Sequence, residues 1–135
     1  MKFIDSNVLV YFADGRNRKK QAIARAILAN AMGNPQYAIS TQVLNEFANV
    51  SLKKLGMVED EVRQYIEAFQ HIPVLCQQSG WTVRALEIRK QYGLQFYDSL
   101  LLAAAESVGC DDFLTEDLND GQIYCGIRAG NPFIV

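Results

Sequence analysis

Four carboxylates stand where a freely solvated charge is not the natural occupant. Asp5 directly follows the apolar start Lys2-Phe3-Ile4 and precedes Ser6, Asn7 and the apolar Val8-Leu9-Val10. A charge at that depth needs a partner, because an isolated buried carboxylate is very costly. A helix N-cap is its ordinary alternative role. Glu46 lies in a polar stripe of Gln42, Asn45, Glu46 and Asn49, spaced i, i+3, i+4 and i+7 along a helical pattern. Solvated stripes more usually carry Lys–Glu pairs than amides, so a single acid flanked by amides reads as a group held by hydrogen bonds. Asp98 shares a helix face with Leu101, Leu102 and Ala105; a first-turn acid favoured by the helix dipole is the alternative. Asp117 follows Phe113-Leu114-Thr115-Glu116, in a stretch that also reads as a turn. Glu116 and Asp120 are further candidates at that position.

Each acid has an everyday explanation by itself. Four converging without a counter-charge would repel and raise one another's pKa. A divalent cation relieves that conflict, and an oxygen-only donor set without histidine suits Mg2+ or Mn2+ better than zinc. The implied chemistry is phosphodiester hydrolysis, in which such an ion activates water and neutralises developing charge.

The elements that must position these acids follow from periodicity. Short β-type segments are expected at 3–4, 37–40, 72–75 and 112–115, with a fifth at 133–135. Helical patterns fill the gaps at 18–31, 41–54, 59–70, from Ser79 as cap to Gly93, and 97–108. A short helix is also compatible with the segment after Asp5. Strands alternating with helices predict an α/β fold: a three-layer domain with a mostly parallel sheet of four to five strands and helices on both faces. Asp5 and Asp117 then fall at the carboxyl ends of strands, where active sites of such folds gather, and Glu46 and Asp98 on neighbouring helices.

The chain has 135 residues, half of them apolar, and a formal net charge of −2. One domain over 1–135 is expected, large enough to bury a core without staples. No apolar leader is evident at the start, and the three dispersed cysteines form no metal or disulfide pattern. A cytoplasmic location with reduced, at least partly buried thiols is therefore expected. The slightly acidic balance argues against a broad basic nucleic-acid coat. One divalent ion at the acids would cancel that net charge, so the whole-chain sum misdescribes the groove.

The acid-bearing segments resemble, in order, the motifs of the PIN-domain ribonuclease family. Phe3-Ile4-Asp5-Ser6-Asn7-Val8-Leu9 is similar to its first-strand motif, with Ser6 where Thr is more usual. Asn45-Glu46-Phe47, Tyr97-Asp98-Ser99-Leu100 and Leu114-Thr115-Glu116-Asp117-Leu118 resemble the next three. Asp120-Gly121-Gln122 and Asn131-Pro132-Phe133 resemble the VapC toxins of bacterial toxin–antitoxin pairs. The resemblance implies a Mg2+- or Mn2+-dependent endoribonuclease whose quartet is Asp5, Glu46, Asp98 and Asp117. It implies supporting roles for Ser6, Asn7, Thr115 and Glu116, with Glu116 or Asp120 as possible sharers of Asp117's place. It also implies an RNA substrate, a homodimer, and a small antitoxin partner whose tail enters the acidic groove.

Among the bases, Arg16 and Lys19 are candidates for weak contact with RNA phosphates, within a run (Arg16, Arg18, Lys19, Lys20) that otherwise reads as a solvated helix start. Trp81, Tyr92, Phe96 and Tyr97 are candidates for base stacking, although Trp81 and Tyr92 share helical spacing with Ala85 and Ile88 and so fit core packing better. Two other functions compete. A phospho-aspartyl enzyme would want a second Asp at position 7, where Asn7 stands. A catalytically inactive PIN-like protein-binding module has no physical reason to keep four mutually repelling acids.

Overall fold

The computed structural model describes residues 1–134. In chain order the elements are β1 (Lys2–Ile4), α1 (Ser6–Ala13), α2 (Arg18–Ala31), β2 (Tyr37–Ser40), α3 (Thr41–Lys53), α4 (Glu59–Phe69), β3 (Val74–Leu75), α5 (Ser79–Tyr92), α6 (Phe96–Ser107), β4 (Asp112–Leu114), β5 (Ile123–Tyr124) and β6 (Ile127–Gly130). The strands form one sheet in the order β3-β2-β1-β4-β6-β5. All pairings are parallel except the β5–β6 hairpin. Parallel neighbours need long crossovers; helices supply them except between β4 and β6, where a loop and β5 make the connection. Helix α1 packs on both α2 and α3, and α3 on α4, while α5 packs on α6, which also touches β2 and β6. The expected α/β architecture with a largely parallel sheet is thus present.

The strand order reverses direction at β1. The chain builds outward through β2 and β3, then returns to place β4 on the other side of β1 in the register Lys2↔Asp112, Phe3↔Phe113, Ile4↔Leu114. The Phe3 and Phe113 rings stack at 5.3 Å across this junction and both are buried. The ladder continues one residue beyond the strands, with Asp5 N donating to the Leu114 carbonyl at 3.0 Å. Such a reversal opens a crevice at the strand ends, and residues 5–7 and 115–117 occupy it.

Packing between α1, α3 and α4 is aromatic. Phe47 meets Phe69 edge-on at 5.0 Å, and Phe12 and Tyr65 complete the cluster. It fixes the tilt of α3, and with it the direction in which Glu46 points.

Three sequence expectations need correction. The strand expected at 133–135 is not found: Phe133 and Ile134 lie outside any strand and Val135 lies outside the described residues. The sheet gains β5 and β6 instead, making six strands. Their two-residue turn, Cys125-Gly126, has both φ angles positive, 53° and 77°. That conformation matches the twist of hairpin strands but usually calls for Asn-Gly, so Cys125 conceals it. Ser79 is the first helical residue of α5, with Gln78 at the cap position and no side-chain capping bond. Cys76 is exposed, while Cys110 is buried and Cys125 half-buried; all three are free thiols. Among the described residues, no helix is long and apolar enough to cross a membrane.

Candidate active site

Asp5 does what both of its readings required. It is the N-cap of α1, its Oδ1 accepting from Ser6 N at 2.6 Å. It is also buried at the strand-end crevice, only 2% exposed. Its other oxygen, Oδ2, accepts from the Thr115 hydroxyl at 2.6 Å and lies 3.3 Å from Asn7 Nδ2. Ser6 Oγ adds a longer contact to Oδ1 at 3.3 Å.

Thr115 joins the two halves of the crevice. Its single hydroxyl proton goes to Asp5, so its lone pairs are free to accept. They receive Asp117 N at 3.0 Å and Asn7 Nδ2 at 3.2 Å. The Asn7 amide also reaches Asp117 Oδ2 at 3.2 Å. Three oxygens surround that amide, which orients its nitrogen toward them. Asn7 and Thr115 therefore hold two strand-end carboxylates, distant in sequence, in fixed relation.

Asp98 enters from the first turn of α6. Asp5, Asp98 and Asp117 each offer one carboxylate oxygen, and these oxygens all lie within 4.8 Å of one another. Glu46, half-buried on α3, stands next to this trio but outside that distance. Its Oε1 is buried without a hydrogen-bond partner among the described residues.

The electrostatics follow from crowding and burial. Burial pushes the Asp5 carboxyl up to about 7, helped by the charges of Asp117 and Glu46; the Thr115 and Ser6 hydrogen bonds oppose this only in part. Burial also raises Glu46, with Asp98 and Asp117 adding to the effect and the Gln42 and Ser6 side chains opposing it. Asp98 is raised by burial and then by Asp117. Carboxyls pushed up together by desolvation and mutual repulsion favour the binding of positive charge.

The sequence motif of the chain decides its kinship. A family model, the PIN domain, matches residues 2–119, nearly the whole length. The chain belongs to the PIN domain family. Solved structures similar to this PIN domain include a toxin–antitoxin complex from Klebsiella pneumoniae, with TM-score 0.70 and 19% identity over 98% of each chain. They include the sarcin–ricin-loop-cleaving toxin VapC20 of Mycobacterium tuberculosis, with TM-score 0.72 and 15% identity over 95% of this chain and 99% of that one. They also include VapBC2 of Rickettsia felis bound to a DNA fragment from its promoter, with TM-score 0.66 and 18% identity over 96% of this chain and 97% of that one. Identities this low speak for a shared fold. No curated protein sequence matches the chain significantly.

Other candidates lie apart from the acid cluster of this PIN domain. Glu116 turns away: its oxygens accept from the Tyr11 hydroxyl at 2.7 Å and the Lys20 ammonium at 2.9 Å. Asp120 accepts from Asn131 N at 2.8 Å and fastens the loop after β4 to the end of β6. Arg16 lines a groove of about 350 Å³ shared with Asn7, Glu116 and Asp117, and is paired bidentately with Asp14 at 2.9 Å. Lys19 is exposed and does not line that groove. Sequence reading missed the Tyr11–Glu116–Lys20 clasp, whose one signal is the i, i+4 spacing of Asn7 and Tyr11 on α1. It also missed Lys54, which reaches the same groove from the end of α3. Trp81 is buried, and the Tyr92 hydroxyl accepts from Cys125 N at 2.9 Å, so both serve packing.

Proposed function

We propose that this PIN domain is a Mg2+- or Mn2+-dependent endoribonuclease, one domain over 1–135, acting as the toxin of a toxin–antitoxin pair. The observation that carries the reading is the convergence of the Asp5, Asp98 and Asp117 oxygens within 4.8 Å. Such a donor set, all oxygen and all anionic, fits a hard divalent cation. Glu46 completes the quartet, and its Oε1, buried without a hydrogen-bond partner among the described residues, is an acceptor suited to a cation. A bound ion of this kind supplies water activation and charge neutralisation at the scissile phosphate.

The chain's own groups do the positioning. Thr115 and Asn7 fix the Asp5 and Asp117 carboxylates, so little reorganisation remains when substrate arrives. Asp5 must give up its proton to act as a ligand, and a cation favours that loss. Arg16 and Lys54 lie along the groove beside Asp117, placed to receive backbone phosphates on one side of the acids. The named toxin–antitoxin relatives support a small protein inhibitor as partner. A cytoplasmic homodimer is the state in which we expect the protein to work.

The test is cleavage of single-stranded RNA by the purified protein with Mn2+ or Mg2+, beside EDTA-treated protein and the Asp5→Asn variant. Cleavage is expected only from the metal-supplied parent. Equal cleavage by a folded Asp5→Asn protein would overturn the mechanism. Absence of divalent-ion binding by calorimetry would favour the protein-binding module instead.

A further inference from the structure

On the side of the acids away from Arg16 and Lys54 lies a second recess, of about 470 Å³, with Glu46 on its rim. That size is within the roughly 300–1,000 Å³ of pockets that hold small organic groups. Its lining is unlike the groove of Arg16 and Lys54, where Asp14, Glu116 and Asp117 accompany the two bases: beside Thr41 and Glu46 it presents primary amides from Gln42, Asn45, Asn49 and Gln77, with Tyr97 and Leu100. Among the described residues, none that line it is a Lys or Arg. Without a cation and beside the Glu46 carboxylate, a phosphate finds little attraction there. A flat, neutral, hydrogen-bonding group suits it.

The recess is built firmly. Gln42 is 8% exposed, and its Nε2 donates to the Tyr97 carbonyl at 3.0 Å, tying α3 to the start of α6. That bond leaves Gln42 Oε1 buried without a partner among the described residues. Gln77 N donates to the Thr41 hydroxyl at 3.0 Å, fixing the opposite wall. Tyr97 is 63% exposed, yet its ring is braced edge-on against Phe96 at 5.4 Å. An exposed aromatic face beside amides that both donate and accept is the equipment used to take an unstacked base out of single-stranded RNA. Tyr97 adjoins Asp98, and Gln42 stands one helical turn before Glu46, so the recess and the acids share the same two helices.

We propose that this recess binds one nucleobase of the RNA, stacked on Tyr97 and read along its edge by Asn45, Asn49 and Gln77. The inference rests on the ribonuclease reading above and adds to it a source of sequence preference: the recess selects the base, while the acids and the basic side chains of Arg16 and Lys54 act on the backbone. Amides match base edges by hydrogen bonding without charge, so discrimination comes from edge pattern rather than from attraction to phosphate.

Two measurements test the proposal. The first is anisotropy of a fluorescein-labelled five-nucleotide RNA titrated with metal-free parent, Tyr97→Ala, Tyr97→Phe and Asn45→Ala proteins. Loss of one stacked base is expected to weaken binding about tenfold in Tyr97→Ala, with Tyr97→Phe near the parent. The second maps cleavage sites on a long mixed-sequence RNA with Mn2+. Tyr97→Ala and Asn45→Ala are expected to raise KM and flatten the base preference beside the cut while kcat stays within about threefold. If the parent cleaves but Tyr97→Ala keeps its affinity, KM and preference, the recess does not hold a base and the ribonuclease reading survives. If the parent does not cleave but Tyr97→Ala still weakens RNA binding, the recess stands and the activity reading falls. Loss of antitoxin binding in Tyr97→Ala, with RNA binding intact, assigns the recess to a protein segment and overturns the proposal.

Discussion

The acid cluster has two unlike halves. The strand-end acids are satisfied by the protein itself: Asp5 accepts from Ser6, Asn7 and Thr115, and Asp117 from Asn7. The helix acids are satisfied only in part, Glu46 by the Gln42 and Ser6 side chains. Glu46 keeps a buried oxygen without a partner among the described residues, and Asp98 is raised by burial and by Asp117 with no hydrogen bond opposing it. A carboxylate at the sheet junction is surrounded by backbone N–H groups and short polar side chains. A carboxylate on a helix flank faces only what lies opposite. The strand half is held by the hydrogen bonds of the fold, while the helix half carries acids that burial and neighbouring like charges raise.

The largest expected contrast is between activity and stability at Asp98. Asp98→Asn removes a ligand from the acid cluster, and losing several kcal/mol of transition-state stabilisation lowers RNA cleavage about a thousandfold. The same change relieves repulsion and breaks no hydrogen bond of the carboxylate, so the melting temperature of the metal-free protein should hold or rise. A large fall in that temperature would show that the helix half is as structurally committed as the strand half.

The next effect concerns Asp5. Its folded-state pKa of about 7 exceeds the ordinary 3.8, so the folded protein holds a proton more tightly than the unfolded chain. Stability of the metal-free protein should therefore fall as pH rises from about 4 to about 7, by a few kcal/mol in total. Denaturant melts across this range check it. Saturating Mn2+ is expected to flatten the slope, because the bound ion takes over from the proton. A metal-free protein that gains stability across the window would contradict the assignment of Asp5 as the buried, crowded acid.

The smallest effect is at the bridge. Thr115→Val keeps the shape but leaves Asp5 Oδ2 and Asp117 N without the hydroxyl. About 1–3 kcal/mol of stability should be lost, and cleavage should drop about 10- to 100-fold, as for other groups that orient ligands. Thr115→Ser restores the hydroxyl and should recover most of both. A cut in cleavage with no change in melting temperature would place Thr115 on the substrate rather than between the acids.

Much of this was legible in the residues. Apolar patterning placed α2, α3, α4 and α6 within a residue or so of their ends: the first three bury one face, and α6 is a continuous buried run that stops at Gly109. Asp5 and Asp117 were readable as strand-end acids because Phe3-Ile4 directly precedes the one and Phe113-Leu114 ends two residues short of the other. Two features resisted. The β5–β6 hairpin hides behind Cys125, a residue type that seldom takes a positive φ. Glu116 looked equivalent to Asp117 along the chain, yet successive residues past a strand point in different directions. Only the packing of α1 and α2 decides that Glu116 meets Tyr11 and Lys20.

The position of β4 next to β1 has a temporal meaning as well. The ribosome makes β1, β2 and β3 first, yet none of them can supply the partner of Asp5. Thr115 and Asp117 emerge only when the chain is nearly finished, and until then the crevice has one wall. The acid cluster is therefore assembled only in the last stage of synthesis, after β4 has docked on β1.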